Sequence, residues 1–203
     1  MLLPERAVFW QEQKMLLLAD LHLGKADHFS RSGVRIPTSV HVHDLERLQA
    51  LLDAWRPSSV VFLGDLFHSS VTEEFEVFAD FITGQSSTQW TLVKGNHDLV
   101  SSFRFAELGI KMVESLFLGP FWLTHAPSPH TQAYNIAGHL HPGVVLSGKA
   151  HQHLRLPCYY FGASEGVLPA FGSFTGCISM PVKKGVRIFA VAGGRVLPLH
   201  KQP

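Results

Sequence analysis

Short unbroken apolar runs alternate along this chain with segments of helical spacing, and the runs end in the same way. Met15 to Ala19 is continuously apolar, as expected of a strand buried on both faces, and it leads directly into Asp20 and His22. Leu45, Leu48, Leu52 and Trp55 recur at spacings of three, four and three, which predicts an amphipathic helix over Val40 to Trp55 that stops before Pro57. Ser59 to Leu63 reads as a second buried strand, ending in Gly64-Asp65. Thr72 can cap a helix from Glu73 to about Ile82, with acidic residues in its first turn and Phe75, Phe78 and Ile82 facing inward, and Gly84 ends it. Trp90 to Val93 is a third strand, followed by the turn Gly95-Asn96-His97-Asp98. Strand-turn units joined by helices predict βαβ topology, in which ligands gather outside the carboxyl ends of the strands.

Beyond about residue 108 the texture changes to short strands between Gly/Pro turns: Lys111 to Val113, Phe117 to Leu118, Phe121 to Thr124, Tyr134 to Ala137 and Val144 to Leu146. Tyr159 to Phe161, Gly185 to Val191 and Arg195 to Leu199 look antiparallel, with Gly193-Gly194 as a hairpin signal. The predicted class is α/β.

A length of 203 residues and an apolar composition of 46% suit one catalytic domain, residues 1–203, with no need for metals or disulfides as staples. The formal charge of +1 gives no sign of a large basic surface, and it excludes neither a polynucleotide nor a small anion as substrate. Cys158 and Cys177 have neither metal-ligand nor staple spacing and read as reduced. The first residues lack the basic start and apolar stretch of a signal peptide, and no run is long enough to span a bilayer. The expectation is a cytoplasmic protein without membrane partners.

Each apolar run delivers oxygen or imidazole ligands: Asp20 and His22, Asp65, Asn96, then His125, His139 and His141. Residues two apart in an extended segment point to the same side, so Asp20 and His22 can share an ion, as can His139 and His141. Gly64, Gly95 and Gly138 precede three of the clusters and permit close backbone approach or positive φ. A carboxylate, imidazole and amide set without thiolate suits manganese first, with iron or zinc as alternatives. Asp65 is the natural bridge between two ions, where a bound hydroxide would attack phosphorus in line. His97 then faces the departing oxygen as proton donor or charge stabiliser, with Asp98 as a candidate orienting partner for its imidazole.

In order, these residues resemble the calcineurin-like metallophosphoesterase superfamily, whose pattern reads D-x-H, G-D, G-N-H-[DE], H and G-H-x-H. The resemblance implies a four-layer αββα sandwich and two divalent metal ions. One ion would be held by Asp20, His22, Asp65 and His141, the other by Asp65, Asn96, His125 and His139, with His97 catalytic. Many members carry an acidic residue soon after the G-D pair. Here Leu66-Phe67-His68-Ser69 follows, which makes His68 a candidate substrate contact. Further segments, among them Asp20-Leu-His-Leu-Gly-Lys25, Tyr134 to Pro142 and Leu168 to Gly176, are similar to the bacterial ligase-associated metallophosphoesterases. That family implies manganese-dependent phosphodiester cleavage, including endonuclease action, in DNA repair beside an ATP-dependent DNA ligase and a helicase.

Singly, each motif also has a plain reading, since a Gly-Asp after a strand is usually a turn and a lone His usually a satisfied one. Their joint order is what speaks for a site. His41 and His43 read as solvated, His28, His130 and His200 as unrelated to the site, and His151 and His153 as surplus to a full ligand set. Lys25 and Arg104 follow metal motifs and are candidate phosphate contacts, with surface charge as the alternative. The Leu168 to Gly176 segment reads equally as a cleft wall or a bend in the core. Three functions follow in order: a DNA-cleaving phosphodiesterase, a small-molecule phosphoesterase acting on a nucleotide or pyrophosphate, and a protein-binding scaffold. The last should have lost ligands, and none is lost here.

Overall fold

A computed structural model of the chain describes residues 1–23, 39–68, 72–128, 132–148 and 152–199. Lys25, His28, His130, His151 and His200 lie outside these residues, as do the side chains of His41 and Thr72.

The first half forms a five-stranded sheet in sequence order: β1 (Val8–Trp10), β2 (Met15–Leu18), β3 (Ser59–Leu63), β4 (Gln89–Val93) and β5 (Ile110–Val113). β1 is an antiparallel hairpin partner of β2, which the spacing did not predict, and β2 to β5 are parallel. The crossovers are helices α1 (Ser39–Trp55), α2 (Thr72–Thr83) and α3 (Ser102–Glu107). Because each crossover steps to the next strand in the same direction, crossovers of one hand place all three helices on one face. Leu45, Leu48 and Leu52 of α1, Phe75, Phe78 and Ile82 of α2, and Phe105 of α3 pack there against Leu16, Leu18, Val60, Phe62, Trp90 and Leu92. Phe62 stacks on Trp90 at 5.7 Å. Full burial stabilises by about 1.5–3 kcal/mol for each large apolar side chain, so this layer anchors the loops at the strand ends.

The second half forms a nine-stranded sheet. It comprises β6 (Leu116–Leu118), β7 (Phe121–Leu123), β8 (Tyr134–Ala137), β9 (Pro142–Ser147), β10 (His153–Phe161), β11 (Glu165–Val167), β12 (Ile178–Ser179), β13 (Arg187–Ala192) and β14 (Arg195–Leu199). The Gly193-Gly194 turn joins β13 to β14, with Ala192 opposite Arg195. Not all pairing is local, however, since β8 runs parallel to β7 and β11, and β12 parallel to β9.

Strand alternation sends Leu17, Ala19, Val61, Leu63 and Val93 to the other face of the first sheet, where they meet Leu123, Ile136, Tyr159, Leu168 and Val191 of the second. This is the expected α/β sandwich of two packed sheets. Among the described residues the outer face of the second sheet is covered by Leu140, Met180, Val186 and Leu199 rather than by a helix. Among the same residues no helix is long and apolar enough to cross a membrane.

Candidate metal centre

The ends of β2, β3 and β4 and the loops after β7 and β8 meet at one edge of the sandwich. β2 and β3 continue their contact past the last ladder pair, with Asp20 N–H donating to Gly64 O at 3.2 Å and His22 N–H to Asp65 O at 3.0 Å. The two ligand-bearing loops are thus one unit. Asp20, His22, Asp65, His139 and His141 all have φ between 44° and 67°, the left-handed region. Asp and His tolerate it better than most residues, and such strain gathers at functional sites. The extended segments expected at Asp20-Leu21-His22 and at His139-Leu140-His141 are therefore kinked. One consequence corrects the expected pairing of His139 with His141, because the two imidazoles part and join different groups.

Asp20, His22 and His141 present one ligand atom each within 4.8 Å of one another, and so do Asp65, His125 and His139. Within the first group His22 Nε2 and His141 Nε2 are 3.2 Å apart, and within the second His139 Nδ1 and His125 Nε2 are 3.0 Å apart. Two imidazole nitrogens each bound at about 2.1 Å to one ion, at about 90–109°, would lie about 3.0–3.4 Å apart. Asp65 stands between the groups, with Oδ2 3.8 Å from His22 Nε2 and Oδ1 3.4 Å from His125 Nε2.

The surroundings orient these atoms. His125 Nδ1 lies 3.0 Å from Leu63 O, which fixes Nδ1 as the protonated nitrogen and leaves the Nε2 lone pair facing the group. Asp20 Oδ2 accepts the His139 N–H at 2.8 Å, whereas Asp20 Oδ1 is buried without a hydrogen-bond partner, 3.6 Å from His141 Nε2. A buried carboxylate oxygen left without a donor is unfavourable, and a cation resolves it. The donor set, its spacing and this unsatisfied oxygen fit two divalent metal ions.

Glycines make the approach possible. A Cβ at Gly64, where φ is +79°, would overlap the His125 ring, and one at Gly95 would overlap Asp65. At Gly138 it would lie 2.6 Å from both Ala19 Cβ and Asp20 Oδ2.

Asp98 has a different place from the one expected. Its Oδ2 accepts the N–H groups of Asp65 at 3.0 Å and Gly95 at 2.8 Å, and its Oδ1 that of Leu66 at 2.8 Å and Phe67 at 3.4 Å. With both oxygens held by backbone, the carboxylate does not orient the His97 imidazole but ties the Asp65 loop to the Asn96 turn. Burial pushes its carboxyl above the usual range, while the bonds from Gly95, Phe67 and Leu66 oppose that shift. His97 supplies its backbone N–H to Asp65 Oδ1 at 2.9 Å and leaves its side chain exposed. Its ring lies 5.8 Å from that of His22 and stacks on that of His68 at 5.3 Å, so His68 does join the site.

Asn96 lies exposed in the same turn, next to His97. Arg104 is held elsewhere, paired with Glu76 at 2.6 Å and lying over the Phe75 ring at 3.9 Å, and so is not a free cation in the cleft. His43 is exposed and pairs with Glu46 at 3.9 Å, as its plain reading expects. The Leu168 to Gly176 segment supports the site from behind. Phe171 N–H donates to Ala19 O and Gly172 N–H to Asp20 O, at 2.8 and 3.1 Å. Asp44 and Arg47 of α1 hold Ser173 in turn, through bonds of 2.9 and 2.8 Å. The sequence leaves this segment open between a cleft wall and a bend in the core, and its local sign of close approach is the glycine at 172, where a Cβ would overlap Leu21 O.

The calcineurin-like phosphoesterase family model matches residues 14–195. A search of curated proteins found no match. Among solved structures, the Pseudomonas putida nuclease MPE superposes with a TM-score of 0.82 at 32% identity, covering 98% of this chain and 93% of that one. The Escherichia coli phosphoesterase Yfce gives a TM-score of 0.44 at 13% identity, over 88% and 87% of the two chains. A match that spans both sheets and every ligand-bearing loop makes this chain a member of the calcineurin-like phosphoesterase family, a hydrolase of phosphoesters.

Proposed function

We propose that the chain is a dinuclear, manganese-dependent phosphodiesterase that cuts DNA as an endonuclease. The observation that carries this reading is the Asp65 carboxylate, whose two oxygens face one imidazole of each group, at 3.8 and 3.4 Å. Asp20, His22, Asp65 and His141 would hold one ion, and Asp65, Asn96, His125 and His139 the other. A donor set of carboxylate, imidazole and amide oxygen favours manganese. Two such ions, when bound, supply Lewis-acid polarisation of phosphoryl oxygens and a water nucleophile active at neutral pH.

The chain's own residues do the rest. Asp65, fixed by the N–H of His97, keeps the two groups at one spacing. The exposed His97 imidazole gives its proton to the departing alkoxide, and His68, stacked on it, sets the ring's plane. A nucleic-acid substrate is supported by the Pseudomonas putida relative, a nuclease at 32% identity over 98% of this chain, and the resemblance to the ligase-associated family makes DNA the substrate proposed. A role in DNA repair in the cytoplasm, beside an ATP-dependent ligase and a helicase, extends that reading.

The test is the purified protein with manganese and after chelation, assayed on bis-p-nitrophenyl phosphate, a nitrophenyl monoester, and nicked, single-stranded and duplex DNA. We expect metal-dependent diester and DNA cleavage, with cleavage of DNA lost in His97→Ala. Cleavage of the monoester alone, or activity unchanged by chelation, would refute it.

A further inference from the structure

The formal charge of +1 hides a strong segregation. Residues 115–203 contain seven Lys and Arg against one carboxylate, Glu165, whereas residues 1–114 contain ten against fifteen. The boundary falls between the strands of the two sheets, and the segment from residue 115 on carries a formal excess of six positive charges. Pairing sharpens the contrast. Among the described residues the Lys and Arg side chains that meet a carboxylate are Arg47, Lys94 and Arg104, all in the first half. Arg155, Lys183 and Lys184 are exposed and, among the described residues, have no carboxylate within 4.0 Å.

These three cations sit on backbone that starts at the candidate metal centre. β9 begins with Pro142, the residue after His141, and Arg155 lies opposite Val145 across the β9–β10 ladder. Arg155 Nη1 donates to Cys177 O at 3.3 Å, and the next residue, Ile178, donates its N–H to His141 O at 2.9 Å. From Ile178 the chain runs past Met180, bonded to Gly143 O at 2.8 Å, to Lys183 and Lys184, which line a groove of about 410 Å³ against Val145 and Leu146. Five residues span at most about 17 Å, so Lys183 lies within that reach of the His141 loop. Along a duplex a reach of that length takes in up to about five phosphates per strand, more than a mononucleotide offers and available on a polymer.

We propose that Arg155, Lys183 and Lys184 form a cationic track that holds the polynucleotide backbone to one side of the scissile phosphate. The proposal rests on the DNA-cleaving reading above and deepens it, assigning polymer selection to the second sheet rather than to the metal groups. Binding then releases counterions, and each phosphate contact contributes roughly 0.7–0.9 to the slope of log affinity against log salt.

The experiment compares wild type, Lys183→Glu/Lys184→Glu and Arg155→Ala/Lys183→Ala/Lys184→Ala, with manganese, on bis-p-nitrophenyl phosphate and on DNA of increasing length and salt. We expect diester turnover within twofold of wild type, which also reports intact folding. On long DNA we expect KM to rise at least tenfold with kcat little changed, and the salt slope of the triple variant to be shallower by about 2. The difference should vanish on a dinucleotide. Wild-type KM and salt slope in the double variant on long DNA would overturn the track, leaving its lysines as solubilising edge charges. Wild-type protein that turns over the small diester but neither binds nor cuts DNA would instead remove the nuclease reading, and the track with it.

Discussion

Asp98 Oδ2 accepts the backbone N–H of Asp65 at 3.0 Å, across 33 residues of sequence. The residue that the sequence offers as an orienting partner for His97 therefore acts on the frame of the centre. Asp98→Asn sets an amide N–H₂ against backbone N–H donors and loses the charge-assisted bonds. The expected result is manganese affinity weakened by roughly 10–100-fold and an unfolding midpoint lower by roughly 5–10 °C. Manganese titration and thermal unfolding measure both, and wild-type affinity would contradict the framing role.

His97→Ala separates chemistry from metal binding, because it is the backbone N–H of His97, not its ring, that meets Asp65. Activity on DNA should fall by roughly 10²–10⁴ while manganese binding stays unchanged. The loss should be smaller on bis-p-nitrophenyl phosphate, since nitrophenolate leaves without a proton. Equal losses on both substrates would argue against proton donation.

Gly138→Ala places a methyl group 2.6 Å from Ala19 Cβ and Asp20 Oδ2, in a backbone region where φ itself imposes no strain. We expect about 1–3 kcal/mol of destabilisation and weaker metal binding. Gly176→Ala meets nothing within 4 Å and should lie within about 0.5 kcal/mol of wild type. Urea unfolding of both decides whether contact, rather than lost flexibility, is the cause.

Burial pushes the Cys158 thiol up to about 12, from an unperturbed value of 9.0, with Cys177 adding to the shift. A folded value above the unfolded one means that the thiol's contribution is complete below pH 9.0. It is lost as pH rises toward about 12, while the unfolded chain ionises first. Stability should thus decline across that window, and Cys158→Ala should flatten the decline. Iodoacetamide at pH 8 should leave Cys158 unmodified until the chain is unfolded, and rapid alkylation of native protein would show a more open sheet.

Much of this was readable in advance because local pattern and tertiary role agree. Ser59–Leu63, Tyr134–Ala137 and Arg195–Leu199 are strands where apolar runs between turn signals predict them. Asp20, Asp65 and His125 follow strand ends, so topology alone brings them together. Asp98 and Arg104 find partners distant in sequence, the Asp65 loop in one case and Glu76 in the other. No spacing rule reports which way a turn aims a carboxylate. The parallel joining of β8 to β11 was likewise hidden, since short strands do not announce their partners. Positive φ at Asp20, His22, Asp65, His139 and His141 is tolerated by Asp and His but does not follow from residue type alone.

Outside the centre, Lys14 and Arg56 also turn left-handed, at φ of 44° and 43°, one closing the short helix Gln11–Gln13 and the other following α1. Glycine or asparagine there would relieve the backbone by up to about 1 kcal/mol each, as at other helix C-termini. At Asp20 or His141 the same replacement would remove a side chain of the candidate metal centre. Engineering for heat resistance and engineering for turnover therefore address separate residues of this enzyme, and the first can proceed without sacrificing the second.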